Sequence, residues 1–260
     1  MSCLVKLGMA DLNEIVDYLD AELRLGEIPD YSAAHNGLQL ANNGEVTKVV
    51  AAVDASLPVI RKAINSGADM LVVHHGLFWH GVQKLVGAQY EKFSEAINAN
   101  LAIYSAHIPL DVHPTQGNNA LLAKAIGMDS TESYHDWKGI QLGLKQKLDV
   151  DFDELIEKLE EELGSEVHAC RGRKEPKVGV VGVITGGAGS EIAAMAAEGI
   201  DTFITGEGPH WSYPLAEELG VNLIYGGHYA TETFGVKSLA EDISEKWSLP
   251  CDFIDHPTGL

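Results

Sequence analysis

The chain has 260 residues, of which 45% are hydrophobic and 22% are charged, so it can bury a substantial core as one large domain or two small ones. Its 38 Asp plus Glu residues against 18 Lys plus Arg give a formal net charge of −20. Such a field repels phosphate backbones and anionic membrane surfaces, which argues against a nucleic-acid binder, and no apolar run reaches the ~20 residues of a membrane-spanning helix.

The N-terminal segment and the cysteines indicate the compartment. Residues 1–10 carry a single Lys and lack a small-residue cleavage site, so they do not resemble a signal peptide. Cys3, Cys170 and Cys251 are odd in number and far apart, and they form neither a disulfide framework nor a CxxC zinc pair. We therefore expect a protein of the reducing cytoplasm.

The first half of the chain alternates between strand and helix patterns. Leu12, Ile15, Val16 and Leu19 have helical spacing and predict an amphipathic helix over residues 11–23. The elements predicted after it are a strand (47–54), a helix (58–66), a strand (70–73), a helix (90–99) and a strand (101–105). This β-α-β-α-β order predicts a largely parallel, buried sheet.

The second half repeats this order. A strand at 141–148 and an acidic helix at 152–163 come first. The elements predicted after them are a strand (177–184), a glycine-rich turn (185–190), a helix (191–198), a strand (200–205), a helix (213–219) and a strand (221–225). The second half is therefore also expected to be α/β.

The two halves align residue by residue. Residues 67–79 match residues 199–211 at Gly, Asp, Gly and Trp, and residues 103–111 match residues 224–232 with a His and an acid in register. We therefore predict two related α/β lobes with mostly parallel sheets and a dinuclear metal cleft between them. The first lobe is expected to comprise 1–130 plus 226–260 and to carry most metal ligands, and the second to comprise 131–225.

Metal-ligating residue types follow the predicted strands, at the carboxyl ends where ligands collect in α/β sheets. The predicted ligands are three histidines and two carboxylates with no cysteine nearby, namely His74, His75, Asp111, His228 and Glu232. This N/O set suits Zn, Mn, Fe, Co or Ni, and it suits a pair of ions better than a single one.

Each component also has a simpler explanation. His74 and His75 would be an ordinary surface pair, and His228 with Glu232 at i and i+4 would be a helix-surface pair worth ~0.3–0.5 kcal/mol. The apolar strand before His74 and the glycines before His228 favour a crowded centre instead. Asp54 either orients a ligand histidine or caps the helix that follows it.

Two further features of the sequence each have both a structural and a functional explanation. The turn at 185–190 matches neither GxGxxG nor the Walker pattern, because no Lys follows its last glycine, so it is either a tight turn or an anion cradle. Trp79, Trp137 and Trp211 line a cleft or belong to the core. No GxSxG or cysteine-nucleophile signature supports covalent hydrolysis.

The chain resembles the Nif-three-like dinuclear metal proteins, often labelled GTP cyclohydrolase 1 type 2 homologues, over nearly its whole length. The motifs that carry the resemblance are Asn36-Gly37-Leu38-Gln39, His74-His75-Gly76-x-Phe78-Trp79, His107-x-Pro109-Leu110-Asp111, Thr205-Gly206-Glu207 and Gly227-His228-x-x-Thr231-Glu232-x-x-Gly235-Val236. The resemblance implies two α/β lobes, a dinuclear centre and a ring-shaped homohexamer. Its metal ligands fall on the same five residues as the predicted set.

Two functions from different classes follow. The first is a metal-dependent hydrolase, in which two divalent ions activate a water against a small nucleotide-like or phosphate-containing substrate and His107 and Glu207 move protons. Purine ring opening of GTP is the version that the resemblance implies. The second is a non-catalytic dinuclear metal-binding scaffold or regulatory protein that acts through protein partners. Five ligands shared by two ions leave coordination positions open, which favours catalysis.

Overall fold

The structure, a computed structural model, describes residues 8–79 and 83–260. Cys3 and most of residues 1–10, the segment that was predicted not to be a signal peptide, lie outside the described residues. As far as Asp111 the elements are β1 (Ala10–Asp11), α1 (Leu12–Glu22), β2 (Gly37–Leu40), β3 (Glu45–Val46), β4 (Val49–Asp54), α2 (Leu57–Asn65), β5 (Met70–His75), α3 (Ala88–Asn98), β6 (Ala102–Ser105) and α4 (Ile108–Asp111).

The rest of the chain continues the alternation. Its elements are α5 (Asn118–Ala125), β7 (Glu132–Trp137), β8 (Ile140–Asp151), α6 (Phe152–Leu163), β9 (His168–Cys170), β10 (Lys177–Val183), a 3-10 turn (Ala188–Glu191), α7 (Ile192–Ala197), β11 (Thr202–Thr205), α8 (Ser212–Leu219), β12 (Asn222–Tyr225), α9 (His228–Thr231), α10 (Thr233–Trp247) and β13 (Cys251–Phe253). The chain is thus a mixed α/β protein, and the predicted helices and strands lie within a few residues of these bounds.

The chain divides into two compact units. The first unit comprises the described residues up to Leu110 together with Gly235–His256. Its five-stranded sheet has the order β13-β4-β5-β6-β2, in which every neighbouring pair is parallel except β2 with β6. The prediction of a mostly parallel sheet is confirmed for this unit.

Both faces of this sheet are covered, which explains the continuous apolar runs of its strands. Met70 and Val72 pack on one face with residues of α1 and α10. Leu71 and Val73 pack on the other face with residues of α2 and α3. Strand β5 is therefore held on both sides, which fixes the residues at its carboxyl end.

The second unit comprises Asp111–Phe234 and Pro257–Leu260. Its six-stranded sheet has the order β7-β8-β10-β11-β12-β9, and only the pairs β10–β11 and β11–β12 are parallel. The prediction of a mostly parallel sheet is wrong here, because β7 and β8 form an antiparallel hairpin, β8 pairs antiparallel with β10, and β9 pairs antiparallel with β12. Lys138 and Gly139, both with positive φ, make the two-residue turn that such hairpins favour.

The boundaries of the units differ from the predicted ones, which placed 1–130 plus 226–260 in one lobe and 131–225 in the other. Residues of α5 and Met128 share a hydrophobic core with β8, α6 and β10, so this segment packs with the second unit. The residues of α9 also belong to the second unit. Three consecutive parallel strands occur in each unit, β4-β5-β6 and β10-β11-β12. That the two halves are related stays a prediction.

Among the described residues, none of the helices is both long and apolar enough to cross a membrane. Cys170 and Cys251 are free thiols, one in each unit.

Candidate metal centre

His74 and His75 are the last two residues of β5, in the interior of the first unit's sheet. Adjacent strand residues normally point to opposite faces, but here the two rings lie side by side, with centroids 4.7 Å apart. The turn after them is held by Gln39, whose Oε1 accepts a hydrogen bond from the Leu77 amide at 2.6 Å. A Cβ on Gly76 would lie 2.3 Å from Gln39 Nε2, so this packing requires glycine.

Each of these histidines is held through its Nδ1 atom. His74 Nδ1 lies 2.8 Å from the carbonyl oxygen of Ala106, and His75 Nδ1 lies 2.9 Å from Asp54 Oδ1. Carbonyl and carboxylate oxygens accept hydrogen bonds, so Nδ1 carries the hydrogen in both rings and Nε2 keeps its lone pair. This is the orientation of a metal-binding imidazole.

Asp54 therefore orients a candidate ligand, which was one of its two predicted roles. The other role, capping α2, is taken by Ser56, whose Oγ accepts from the Val59 amide at 3.4 Å.

His107 follows β6 and joins the two strand-end histidines. It is buried, and its ring centroid lies 4.9 Å from that of His74 and 5.6 Å from that of His75. One ligand atom from each of the three rings lies within 4.8 Å of the others, so this group can hold a metal ion. Trp79 packs edge-on against His107 at 4.8 Å, which places this tryptophan beside the histidines.

Asp30 is a site residue that the sequence analysis missed. Its Oδ1 lies 2.8 Å from His107 Nδ1, and its side chain is only 6% exposed. The partner is 77 residues away in the chain, so no local pattern connects the two. Asn36, which was noted only as part of a family motif, accepts a hydrogen bond from the His107 amide at 2.7 Å.

In the second unit, His228 begins α9 and Glu232 follows its last turn. His228 Nε2 lies 3.1 Å from Glu232 Oε1, and His228 Nδ1 lies 2.9 Å from Glu207 Oε1. Burial acts to lower the pKa of His228, but the carboxylates of Glu232 and Glu207 outweigh it and raise this pKa to about 9. Glu207, a predicted catalytic residue, thus orients a predicted ligand, and its role in proton transfer stays a prediction.

A glycine makes room for this pair. Gly186 has a φ of +72°, and a Cβ there would lie 2.3 Å from Glu232 Oε1 and 3.5 Å from His228 Nε2. Its amide donates to Thr231 Oγ1 at 3.2 Å. The backbone therefore approaches the donor atoms closely, as expected of a crowded ligand site.

Asp111 is buried at the end of α4. Its Oδ1 accepts from Asn118 Nδ2 at 2.8 Å and from Thr185 Oγ1 at 3.3 Å. Since Thr185 is adjacent to Gly186, Asp111 and the pair His228–Glu232 flank the same short loop of the second unit.

The glycine-rich loop itself is a tight turn. The amide of Gly186 is used as described, the Ala188 amide donates to Thr205 Oγ1 at 3.1 Å, and the Gly189 amide donates to the Glu207 carbonyl at 3.0 Å. Amides engaged in this way cannot also cradle an anion, so the anion-cradle alternative loses its support.

The donor chemistry of the described residues fits transition-metal ions. Within the first unit the donors are the imidazoles of His74 and His75, and within the second they are the His228 imidazole and the carboxylates of Asp111 and Glu232. Imidazole and carboxylate donors suit Zn, Mn, Fe, Co or Ni better than the all-oxygen sites of Ca or Mg.

Comparisons with known proteins extend over almost the whole chain. A sequence model of the Duf34/NIF3 family (NGG1p interacting factor 3) matches residues 10–258. The chain is 41% identical over 258 residues to the GTP cyclohydrolase 1 type 2 homolog of Deinococcus radiodurans, covering 97% of this chain and 96% of that protein. It is 38% identical over 250 residues to the Archaeoglobus fulgidus protein of the same name, with coverages of 96% and 100%.

Solved structures share the fold. The crystal structure of TTHA1606 from Thermus thermophilus matches with a TM-score of 0.84 at 36% identity, covering 96% of this chain and 100% of the other. Reduced HcgD from Methanocaldococcus jannaschii matches with a TM-score of 0.87 at 27% identity and the same coverages.

Proposed function

The chain belongs to the Duf34/NIF3 family, and on this basis we propose that it is a metal-dependent hydrolase. Two divalent ions, of Zn, Mn, Fe, Co or Ni, are held by His74, His75, Asp111, His228 and Glu232. The observation that carries the proposal is the shared design of the ligand histidines. The Nδ1 atoms of His74, His75 and His228 each lie within 2.9 Å of an oxygen acceptor, so Nε2 is the nitrogen that would face a metal. In His228 this Nε2 lies 3.1 Å from Glu232 Oε1, which belongs to another proposed ligand.

When bound, the ions would lower the pKa of a coordinated water and polarise the scissile group. The protein supplies the groups that move protons. The His107 ring lies beside those of His74 and His75 and its Nδ1 is engaged by Asp30, so its Nε2 accepts a proton from the attacking water. Glu207 holds His228 with one carboxylate oxygen and is 43% exposed, so solvent and substrate protons can reach it.

The substrate we propose is a small nucleotide-like or phosphate-containing compound, with GTP as the first candidate. The support for GTP is the name of the Deinococcus and Archaeoglobus relatives, GTP cyclohydrolase 1 type 2 homolog. The net charge of −20 leaves few cations for a triphosphate, so the metal ions would have to offset most of the substrate charge.

We also propose a homo-oligomer, with the ring-shaped hexamer of the family as the specific form, in the cytoplasm. Tyr90 and Ile97 of α3 are 60% and 59% exposed, and Leu85 and Val86 just before this helix are 57% and 67% exposed. Large apolar side chains grouped on one element suit a protein interface. Native mass spectrometry would measure the subunit number, and a monomer would overturn this part of the proposal.

The test combines metal content with turnover. Protein purified without chelator and reloaded should bind about two transition-metal equivalents per chain, as a two-metal site requires. The loaded protein is then screened against GTP, other nucleotides and phosphoesters. Asp111→Ala should lose metal and turnover together. Asp153→Ala removes an exposed carboxylate of the same unit and should change neither.

The outcomes separate the two functions. Metal loss in Asp111→Ala together with loss of turnover supports the hydrolase. If the wild-type protein has its full metal content but turns over none of the compounds, the non-catalytic scaffold is supported instead. Full occupancy in Asp111→Ala would defeat the ligand assignment itself.

A further inference from the structure

The segment before β2 places a buried carboxylate against His107. Asp30 Oδ1 lies 2.8 Å from His107 Nδ1. The other oxygen, Oδ2, accepts from Asn36 Nδ2 at 2.8 Å and from the Ile108 amide at 3.1 Å. Both oxygens are therefore occupied by donors, and the carboxylate has one orientation.

This contact fixes the tautomer of His107. A carboxylate oxygen accepts a hydrogen bond, so Nδ1 of His107 carries the hydrogen and Nε2 keeps the lone pair. With Nδ1 committed to Asp30, Nε2 is the ring nitrogen that remains for chemistry beside His74 and His75.

The His107 ring is also held in place by a hydrogen bond from its own backbone amide and by an aromatic contact. The His107 amide donates to Asn36 Oδ1 at 2.7 Å, and Trp79 packs edge-on at a centroid distance of 4.8 Å. Asn36 thus contacts both members of the pair, through its oxygen to His107 and through its nitrogen to Asp30. A catalytic imidazole has to be held in place in this way, because a small displacement of its ring lowers the reaction rate.

We propose that Asp30 is the positioning residue for His107, holding its ring in the Nδ1–H tautomer so that Nε2 accepts the proton of the attacking water. The inference rests on the proposed function, because it assigns His107 the proton-accepting role there. An O–H bond of the water breaks and its proton goes to Nε2, while the hydroxide oxygen bonds the electrophilic atom of the substrate. The bond to the leaving group then breaks, and the Nε2 proton passes to that group.

The Nδ1 hydrogen stays in place throughout, and Asp30 balances the positive charge that the ring carries between the two transfers. Asp30 must be ionised to balance this charge, and the fold favours its ionised form. Burial acts to raise the pKa of Asp30, but the hydrogen bond and positive charge of His107, together with the hydrogen bonds from Asn36 and the Tyr31 amide, outweigh it and hold this pKa below its usual value.

Asp30→Asn is the informative substitution. An amide has one acceptor oxygen, whereas Asp30 receives donors on both oxygens. If the amide oxygen stays with Asn36 and Ile108, the NH2 group faces Nδ1 and forces the ring into the Nε2–H tautomer. The shape of the side chain hardly changes, so the fold is kept.

A matched control lies in the same unit. Asp69 Oδ2 accepts from the Thr47 amide at 2.7 Å, from Thr47 Oγ1 at 2.6 Å and from the Lys48 amide at 3.1 Å. It precedes β5, at the opposite end of that strand from His74 and His75. Asp69→Asn therefore removes a carboxylate that accepts several hydrogen bonds without touching His107.

The measurement is the ¹⁵N spectrum of the histidines in metal-free protein, at a pH where the imidazole is neutral, with His107 assigned by its absence in His107→Gln. We expect the Nδ1–H tautomer in the wild type and in Asp69→Asn, and a shift towards Nε2–H in Asp30→Asn. An Nε2–H tautomer in the wild type overturns the inference, and this result needs no variant to fold. An unchanged tautomer in Asp30→Asn overturns it as well.

Zinc content, measured on reloaded protein, gives a second readout. Asp30→Asn should keep the zinc of the wild type, because Asp30 acts on a proton carrier and not on a ligand. Loss of zinc would make His107 a metal ligand and overturn its proton-accepting role. Since the tautomer is read without metal or substrate, its failure is distinct from failure of the hydrolase proposal.

Discussion

Asp54 and His75 are register partners on neighbouring strands, β4 and β5, and they are joined by a hydrogen bond of 2.9 Å between Asp54 Oδ1 and His75 Nδ1. Strand pairing therefore fixes the position of the carboxylate relative to the imidazole. The orientation of this candidate ligand is built into the sheet and not left to a loop.

Asp54→Ala should accordingly weaken metal binding by about 10–100-fold, the usual effect of losing the acceptor behind a ligand histidine. Zinc affinity measured by competition with a chelator checks this. Ser56→Ala is the control, since it removes the cap of α2 two residues away and should cost about 1 kcal/mol of stability. The metal affinity of Ser56→Ala should stay unchanged. An equal fall in metal affinity in both variants would contradict the role of Asp54.

Gly186→Ala should expel metal from the second unit's ligands. The new Cβ would lie 2.3 Å from Glu232 Oε1, so the carboxylate has to move. Gly67→Ala is matched for backbone strain, with a φ of +75° against +72°, but its Cβ would meet nothing within 4 Å. Both variants should lose about 1–2 kcal/mol from the left-handed backbone.

Only Gly186→Ala should lose metal, as measured by elemental analysis of reloaded protein. Unchanged metal content in that variant would show that Glu232 can move without releasing an ion.

His107→Ala should keep the metals and lower any hydrolytic rate by about 10²–10⁴, the worth of a positioned base. Metal content and turnover are measured together on the same sample. His35→Ala removes an exposed histidine of the same unit and should leave both unchanged. A fall of about 10–100-fold in metal affinity would instead indicate that His107 supports a ligand.

Much of this site could be predicted because its residues end strands whose apolar runs are visible in the sequence. His74 and His75 directly follow Leu71-Val72-Val73, and parallel strands bring their carboxyl ends to one edge. Helix α10 was also detectable, because Val236, Leu239, Ala240 and Ile243 have helical spacing and are buried. It was not predicted.

The remainder depends on contacts between distant parts of the chain. Asp30 meets His107 across 77 residues, and nothing around Asp30 marks it as special. The antiparallel half of the second sheet was missed for another reason. A turn through Lys138, which has a φ of +51°, lacks the Asn-Gly or Asp-Gly signature of a hairpin.

Tyr104→Phe should destabilise the first unit in a pH-dependent way. The fully buried Tyr104 donates from its hydroxyl to Asp20 Oδ1 at 2.9 Å. Burial raises the pKa of Asp20 above its usual value, and the Tyr104 hydrogen bond partly offsets this by favouring the ionised carboxylate. Without the hydroxyl that carboxylate loses a donor, so we expect a loss of about 1–3 kcal/mol at neutral pH.

The sign of the pH dependence follows from the raised pKa. An acid whose pKa is higher in the folded state binds more protons when folded, so its contribution to stability falls as the pH rises from about 3.9 through the folded value. In Tyr104→Phe the pKa of Asp20 should rise further, so the penalty should be large at neutral pH and shrink as Asp20 becomes protonated. Urea unfolding across this range measures it. Tyr18→Phe removes a comparable bond of 2.6 Å, from Tyr18 to Asp242, but at a residue that is not fully buried, where water can replace the lost donor. It should therefore cost less at neutral pH, and an equal loss in the two variants would show that the burial of Tyr104 does not set the penalty.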